Sequence, residues 1–180
     1  MVSKVLKTLP ARGFTIIELM TVLVIVAILA AIAAPDLRMI APRMRVKTAA
    51  GDLHTTLMFA RSEAVKRNAT VWVIPTNAGD WSQGWRVEFA GPPVQVFTRQ
   101  DSYGGMLAFS SRNAAYTATA VSDIRFAGTG RETGNGGAGV AFVITSTNYP
   151  NIAARCVVLD PSGRPTVRVD SDGNSTNGCN

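Results

Sequence analysis

The chain is poor in the residues that build active sites. It has a single histidine, His54, and two cysteines. A Ser/His/Asp relay needs a histidine between a nucleophile and an acid, and His54 instead sits beside an apolar stripe in a helical pattern. A metal site needs further Cys, His, Asp or Glu ligands, and none cluster near the cysteines. No two carboxylates stand at a spacing suited to paired acid–base work. The sequence therefore predicts no enzyme activity and no cofactor. The formal net charge of +6 is mildly basic and does not by itself imply nucleic acid.

What the chain does have is a long apolar run near its start. From Phe14 to Ala34 every residue is apolar except Thr15, Glu18 and Thr21. Roughly 20 such residues cross a bilayer. A carboxylate in such a span costs about 2.5–3.5 kcal/mol on insertion scales and marks a functional site. Glu18 therefore needs a partner, and Phe14 lies at i−4, one helical turn back. Lys4, Lys7 and Arg12 precede the run. They could be the positive region of an ordinary secretory signal, with Ala31-Ile32-Ala33 as its cut site. Against that, the run exceeds the usual 7–15 residues of a signal core, and Glu18 interrupts its start.

The basic leader, Gly13 at the cut, Phe14 as the new N-terminus and Glu18 four residues on resemble the class III leader of type IV pilins and type II secretion pseudopilins. The resemblance covers Met1 to about Pro35. It implies cleavage after Gly13 by a prepilin peptidase, N-methylation of Phe14 and packing of the helix into a filament core with other pilins or pseudopilins. Glu18 of one subunit would pair with the Phe14 amine of its neighbour. The implied organisation is a leader over 1–13, a transmembrane and filament-core helix over 14–35 and a head over 36–180. The protein is then a single-pass inner-membrane protein with a periplasmic head. Cleavage removes three basic residues and no acid, taking the side-chain charge from +6 to +3. In that compartment disulfides persist. A Cys156–Cys179 bridge is expected there, with two free thiols or a metal pair as the alternatives.

Beyond the run, Pro35 and Pro42 should kink or break the helix. Arg38, Arg43, Arg45 and Lys47 suit lipid headgroups or neighbouring subunits. From Val46 the helix resumes, with Ala50, Leu53, Leu57, Ala60 and Ala64 on one face. Glu63 and Arg67 form an i,i+4 pair expected on the exposed side, and Asn68 is the expected stop. Strands are expected at Thr70–Ile74 (ended by Pro75), Trp85–Phe89, Val94–Phe97, Met106–Phe109, Asp123–Phe126, Val140–Thr145, Arg155–Leu159 and Pro165–Val169. Eight short strands suggest two small sheets. Leu57–Val73 (LMFARSEAVKRNATVWV) and Trp81–Phe89 (WSQGWRVEF) resemble the GspH/FimT family of minor pilins and pseudopilins. That resemblance implies an α+β, type IV pilin-like fold: a long N-terminal helix packed on a two-sheet antiparallel β domain.

Three short motifs remain. Gly134–Gly139 spells G-x-G-x-x-G but precedes a strand, with no helix to hold a pyrophosphate, and reads as a loop. Asp170-Ser171-Asp172-Gly173-Asn174 begins like a calcium loop. However, Ser175 takes the place of the required glycine and the twelfth position is absent, so a polar turn is expected. Gly163-Arg164-Pro165-Thr166-Val167-Arg168 places two arginines on one face of a strand, where they could reach successive phosphates of double-stranded DNA. FimT-type pilins in the resembled family bind DNA through Gly-Arg-x-Arg between two cysteines. Here the second arginine, Arg168, comes two places late. The expected function is that of a minor pilin that initiates or caps a type IV pilus. The alternatives are a pilus-borne DNA receptor and a GspH-like minor pseudopilin of type II secretion.

Overall fold

The computed structural model describes residues 13–89, 91–113, 117–135, 137–173 and 179, with 33–37 described by their backbone alone. The leader residues Lys4, Lys7 and Arg12, together with Gly136, Asn174 and Ser175 of the two loop motifs, lie outside the described residues. The chain forms two units, Met1–Arg38 and Met39–Asn180. One helix, α1, runs Ile16–Arg67, followed by eight strands. The expected break at Pro35 and Pro42 does not occur. Each proline removes one donor from the helical ladder, yet the helix runs on through both. The helix stops where expected. Asn68 takes a left-handed φ of 47°. Its N–H bonds Val65 O and the Ala69 N–H bonds Ala64 O, which satisfies two of the last carbonyls of the helix.

In the second unit the helix buries Val46, Ala49, Ala50, Leu53, Leu57, Ala60 and Ala64. The small alanines let the helix lie close to the β domain, while Leu53 and Leu57 fill the space between. Polar tethers hold the contact in register. The Trp85 indole donates to Thr56 Oγ1 (3.1 Å), the Tyr103 hydroxyl to Asp52 Oδ2 (3.0 Å) and Arg61 Nε to Gly130 O (3.0 Å). Burial and the neighbouring Asp52 carboxylate push the Tyr103 hydroxyl far above its ordinary pKa, so it stays a donor. Glu63 differs from the expectation. It is buried, held by Arg67, whose guanidinium also lies over the Phe97 ring.

The strands are β1 Val71–Asn77, β2 Asp80–Phe89, β3 Gln95–Gln100, β4 Leu107–Asn113, β5 Ile124–Phe126, β6 Val140–Ser146, β7 Arg155–Leu159 and β8 Pro165–Val169. They form two four-stranded antiparallel sheets, in the orders β3-β2-β1-β5 and β4-β6-β7-β8. β1 does not end at Pro75. β5 pairs only with Val71–Val73, so Pro75 lies beyond its reach, where a missing donor is tolerated. Between the sheets and the helix lies one apolar core. Trp81 packs on Phe142 with ring centroids 4.7 Å apart, and its indole donates to Val121 O at 2.8 Å.

Candidate functional site

The first candidate site is the start of α1. Thr15 caps the helix, its Oγ1 accepting the Glu18 N–H at 3.2 Å. Thr15 and Glu18 have the spacing of a capping box, with the acid in the first turn facing the helix dipole. Phe14 precedes the helix instead of stacking one turn below Glu18, because the helical hydrogen bonds begin only after Thr15. Phe14 is 84% exposed, and Ile16, Ile17, Leu19, Val22, Ile25 and Leu29 are exposed with it. These residues fall on every side of the helix. Thr21 hides its hydroxyl by donating to Ile17 O at 2.7 Å. Among the described residues no helix is long and apolar enough to cross a membrane. The described side chains of this run end at Ile32, and its sequence continues apolar to Ala34.

The second candidate site is the C-terminal edge of the β4-β6-β7-β8 sheet. Cys156 and Cys179 are joined by a disulfide, with Cα atoms 5.8 Å apart. Cys179 packs with Val143, Ala154 and Cys156 in a small cluster of its own. Val157 and Leu159, the β7 residues that alternate with Cys156, belong to the main core. Cys179 therefore sits on the opposite face of the sheet. Arg168 pairs across strands with Cys156 and Thr166 with Val158, which places them on that same face. β8 is the edge strand, and all of it but Pro165 is exposed. Even Val167 and Val169, on the core-facing side, are 41% and 46% exposed, because the core ends before the sheet does.

The turn into β8 is tightly built. Asp160 Oδ1 accepts the Arg164 N–H (2.9 Å) and the Ser162 hydroxyl (2.6 Å). Burial raises the Asp160 carboxyl pKa, but these bonds and the Arg164 charge outweigh it and hold the pKa below the ordinary value. Gly163 turns the chain at φ 79°, with its missing Cβ aimed at Gly130 O. Arg164 and Arg168 therefore flank an exposed strand at a maximum of about 13 Å, from four residues at 3.3 Å each. Arg168 has no acidic partner among the described residues.

A family model described as type II transport protein GspH matches residues 49–163. The chain belongs to the GspH family. A second model, the prokaryotic N-terminal methylation motif, matches residues 10–34 of this GspH-family chain and so spans Gly13, Phe14 and Glu18. Among solved structures, the type IV minor pilin FimU of Pseudomonas aeruginosa strain PAO1 is similar, with a TM-score of 0.59 at 19% identity. The likeness covers 73% of this chain and 97% of that one. A second crystal form of FimU gives a TM-score of 0.56. The minor pseudopilin EpsH from the type 2 secretion system of Vibrio cholerae is similar at a TM-score of 0.50 and 11% identity, covering 69% of this chain and 94% of EpsH. None of the curated proteins matches by sequence. The fold is thus the type IV pilin-like α+β fold, and the GspH-family match ends at Gly163, just before Arg164 and Arg168.

One feature escaped the sequence reading. Asp170, expected in a polar turn, is only 4% exposed, and its N–H bonds Ala154 O at 3.0 Å. Burial and the adjoining Asp172 push its carboxyl pKa up. The Asp-x-Asp spacing was the available signal, but nothing local to the sequence said that the first acid would be buried.

Proposed function

We propose that this chain is a minor subunit of a type IV pilus and helps to initiate or cap the filament. The observation that carries the reading is the bare apolar helix headed by Gly13-Phe14 and Glu18. A helix that is apolar on every side is stable only where lipid or other helices cover it. Before assembly the inner membrane covers it, and after assembly the helices of neighbouring pilins do. Cleavage after Gly13 by a prepilin peptidase frees the Phe14 amine, which is then methylated. That amine pairs with Glu18 of an adjacent subunit and offsets the cost of placing a carboxylate in an apolar core. The head lies in the periplasm, and its role is structural, not catalytic. Mass spectrometry of the mature protein tests the processing, with a methylated chain starting at Phe14 as the expected result. An uncut chain, or one starting at Ala34, would refute it. Glu18→Ala should leave cleavage intact and reduce incorporation into filaments. A role as a type II secretion pseudopilin predicts that deletion abolishes secretion and leaves pili unchanged.

The exposed β8 edge favours a second reading, a DNA receptor carried on the filament. Arg164, Thr166 and Arg168 are exposed, and phosphate contacts from two arginines would give weak, sequence-independent, salt-sensitive binding. Gel shifts with duplex DNA at two salt concentrations, using the full chain in nonionic detergent, decide it. The double variant Arg164→Gln/Arg168→Gln should lose most binding and lower the salt slope by about two. Equal binding by variant and wild type would refute the receptor reading. The late position of Arg168 and the mature charge of +3 favour the filament role.

A further inference from the structure

We propose that Asp170 and Asp172 hold a calcium ion in the cleft beside the end of β8. The cleft has a volume of about 340 Å³ and is lined by Thr145, Asn151, Ile152, Asp170, Ser171 and Gly173, among others. Asp170 is almost wholly buried, yet its Oδ1 has no hydrogen-bond partner among the described residues. A buried carboxylate oxygen left unpaired costs several kcal/mol unless something positive meets it. The Asp172 carboxyl lies within hydrogen-bonding reach of the Asp170 carboxyl. Asp170 lines the cleft, Asp172 adjoins it, and no arginine or lysine is among the lining residues. A divalent cation neutralises both at once.

The donors select the ion. Asp170, the Ser171 and Thr145 side chains, the Asn151 amide and the backbone carbonyls of the 150–153 turn line the cleft with oxygen, and the Asp172 carboxyl adjoins Asp170. The cysteines are locked in a disulfide, and His54 is on the helix. Oxygen-only sites take hard cations. Magnesium demands a near-octahedral shell and keeps its waters, whereas calcium accepts six to eight irregular oxygens. No group of three or more His, Cys, Asp or Glu gathers among the described residues, so carbonyl, hydroxyl and water oxygens complete the shell. One carboxylate lining an open cleft with a second beside it suits the weak class of site, with a dissociation constant of about 10⁻⁴–10⁻³ M. The ion ties the end of β8 to the turn before β7, as the Cys156–Cys179 bridge ties the tail to β7 itself. The proposal does not depend on which filament the protein joins.

The test uses the full chain in nonionic detergent, stripped with a chelator. Equilibrium dialysis against radioactive calcium should give one ion per chain, and thermal unfolding should shift upwards with calcium chloride but not with magnesium chloride. Asp172→Asn changes an exposed residue and should keep the fold, which circular dichroism and tryptophan fluorescence check. It should weaken calcium binding at least tenfold. It should also leave the calcium-free protein at least as stable as wild type, because it removes a like-charge contact. A purely structural Asp170–Asp172 hydrogen bond predicts the opposite, a variant less stable without calcium. No bound calcium at about 10 mM, tenfold above the weak end of that range, would overturn the proposal. So would equal binding by wild type and Asp172→Asn, or an equal response to magnesium.

Discussion

Gly163→Ala should be among the most costly single-methyl additions in the β domain, and its cost can be separated into two parts. The first is backbone strain. Gly163 sits at φ 79°, where a side chain costs roughly 1 kcal/mol. The second is contact. A Cβ there would lie 2.1 Å from Gly130 O and 3.3 Å from the Phe126 ring. Gly130 O cannot retreat freely, because it accepts Arg61 Nε at 3.0 Å and Gly130 N is tied to Ala127 O at 2.8 Å. Forcing an extra methyl into such a site costs about 1–3 kcal/mol. The total is about 2–4 kcal/mol, from the sum of strain and overpacking. Gly79→Ala is the matched control. Gly79 has nearly the same φ, 76°, but nothing lies within 4 Å of its missing Cβ, so only the strain of roughly 1 kcal/mol applies. Urea unfolding of the full chain in detergent, followed by fluorescence of the buried Trp81 and Trp85, measures both. Equal costs at the two glycines would refute the close approach of the β7–β8 turn to Gly130. The geometry that presents Arg164 would then be wrong as well.

Two further predictions concern the anchoring of the head. Replacing both Cys156 and Cys179 with serine should cost about 3 kcal/mol from loop entropy alone, measured by the same urea titration, and a loss near zero would mean that the tail is held by other means. The Arg67 guanidinium, and then the Lys66 and Arg67 charges, outweigh burial and hold the Glu63 carboxyl below its ordinary value of 4.5. Its folded pKa is depressed, so the stability it adds is full above 4.5 and is lost as the pH falls through the lower folded value. Wild type should therefore exceed Glu63→Gln in stability at neutral pH and converge with it in acid. A difference that does not change with pH would refute the ion pair.

Much of this protein is legible in its sequence because the governing forces are local. The four-and-three spacing of Ala50, Leu53, Leu57, Ala60 and Ala64 can bury only one side of a helix, and that side is the one buried. Asn68 stops the helix because asparagine tolerates a left-handed φ. All eight strands occur where alternation and turn residues place them, with ends shifted by a few residues. Pairing partners are another matter, since they depend on contacts far apart along the chain. No spacing rule predicts that β5 would add beside β1 or that β4 would pair with β6. Nor does the sequence reveal that β5 stops short of Pro75, which is why β1 runs on to Asn77. Burial of charge is likewise a tertiary result. Glu63 reads as an exposed helix residue and Asp170 as a turn residue. Distant segments are involved in both: Arg67, which holds Glu63, also bonds Gln95 and lies over Phe97, and the Pro150–Ala154 segment shares a cleft with Asp170. Residue type and periodicity determine which elements form. Which face of a sheet a distant segment covers is decided only when the whole chain has packed.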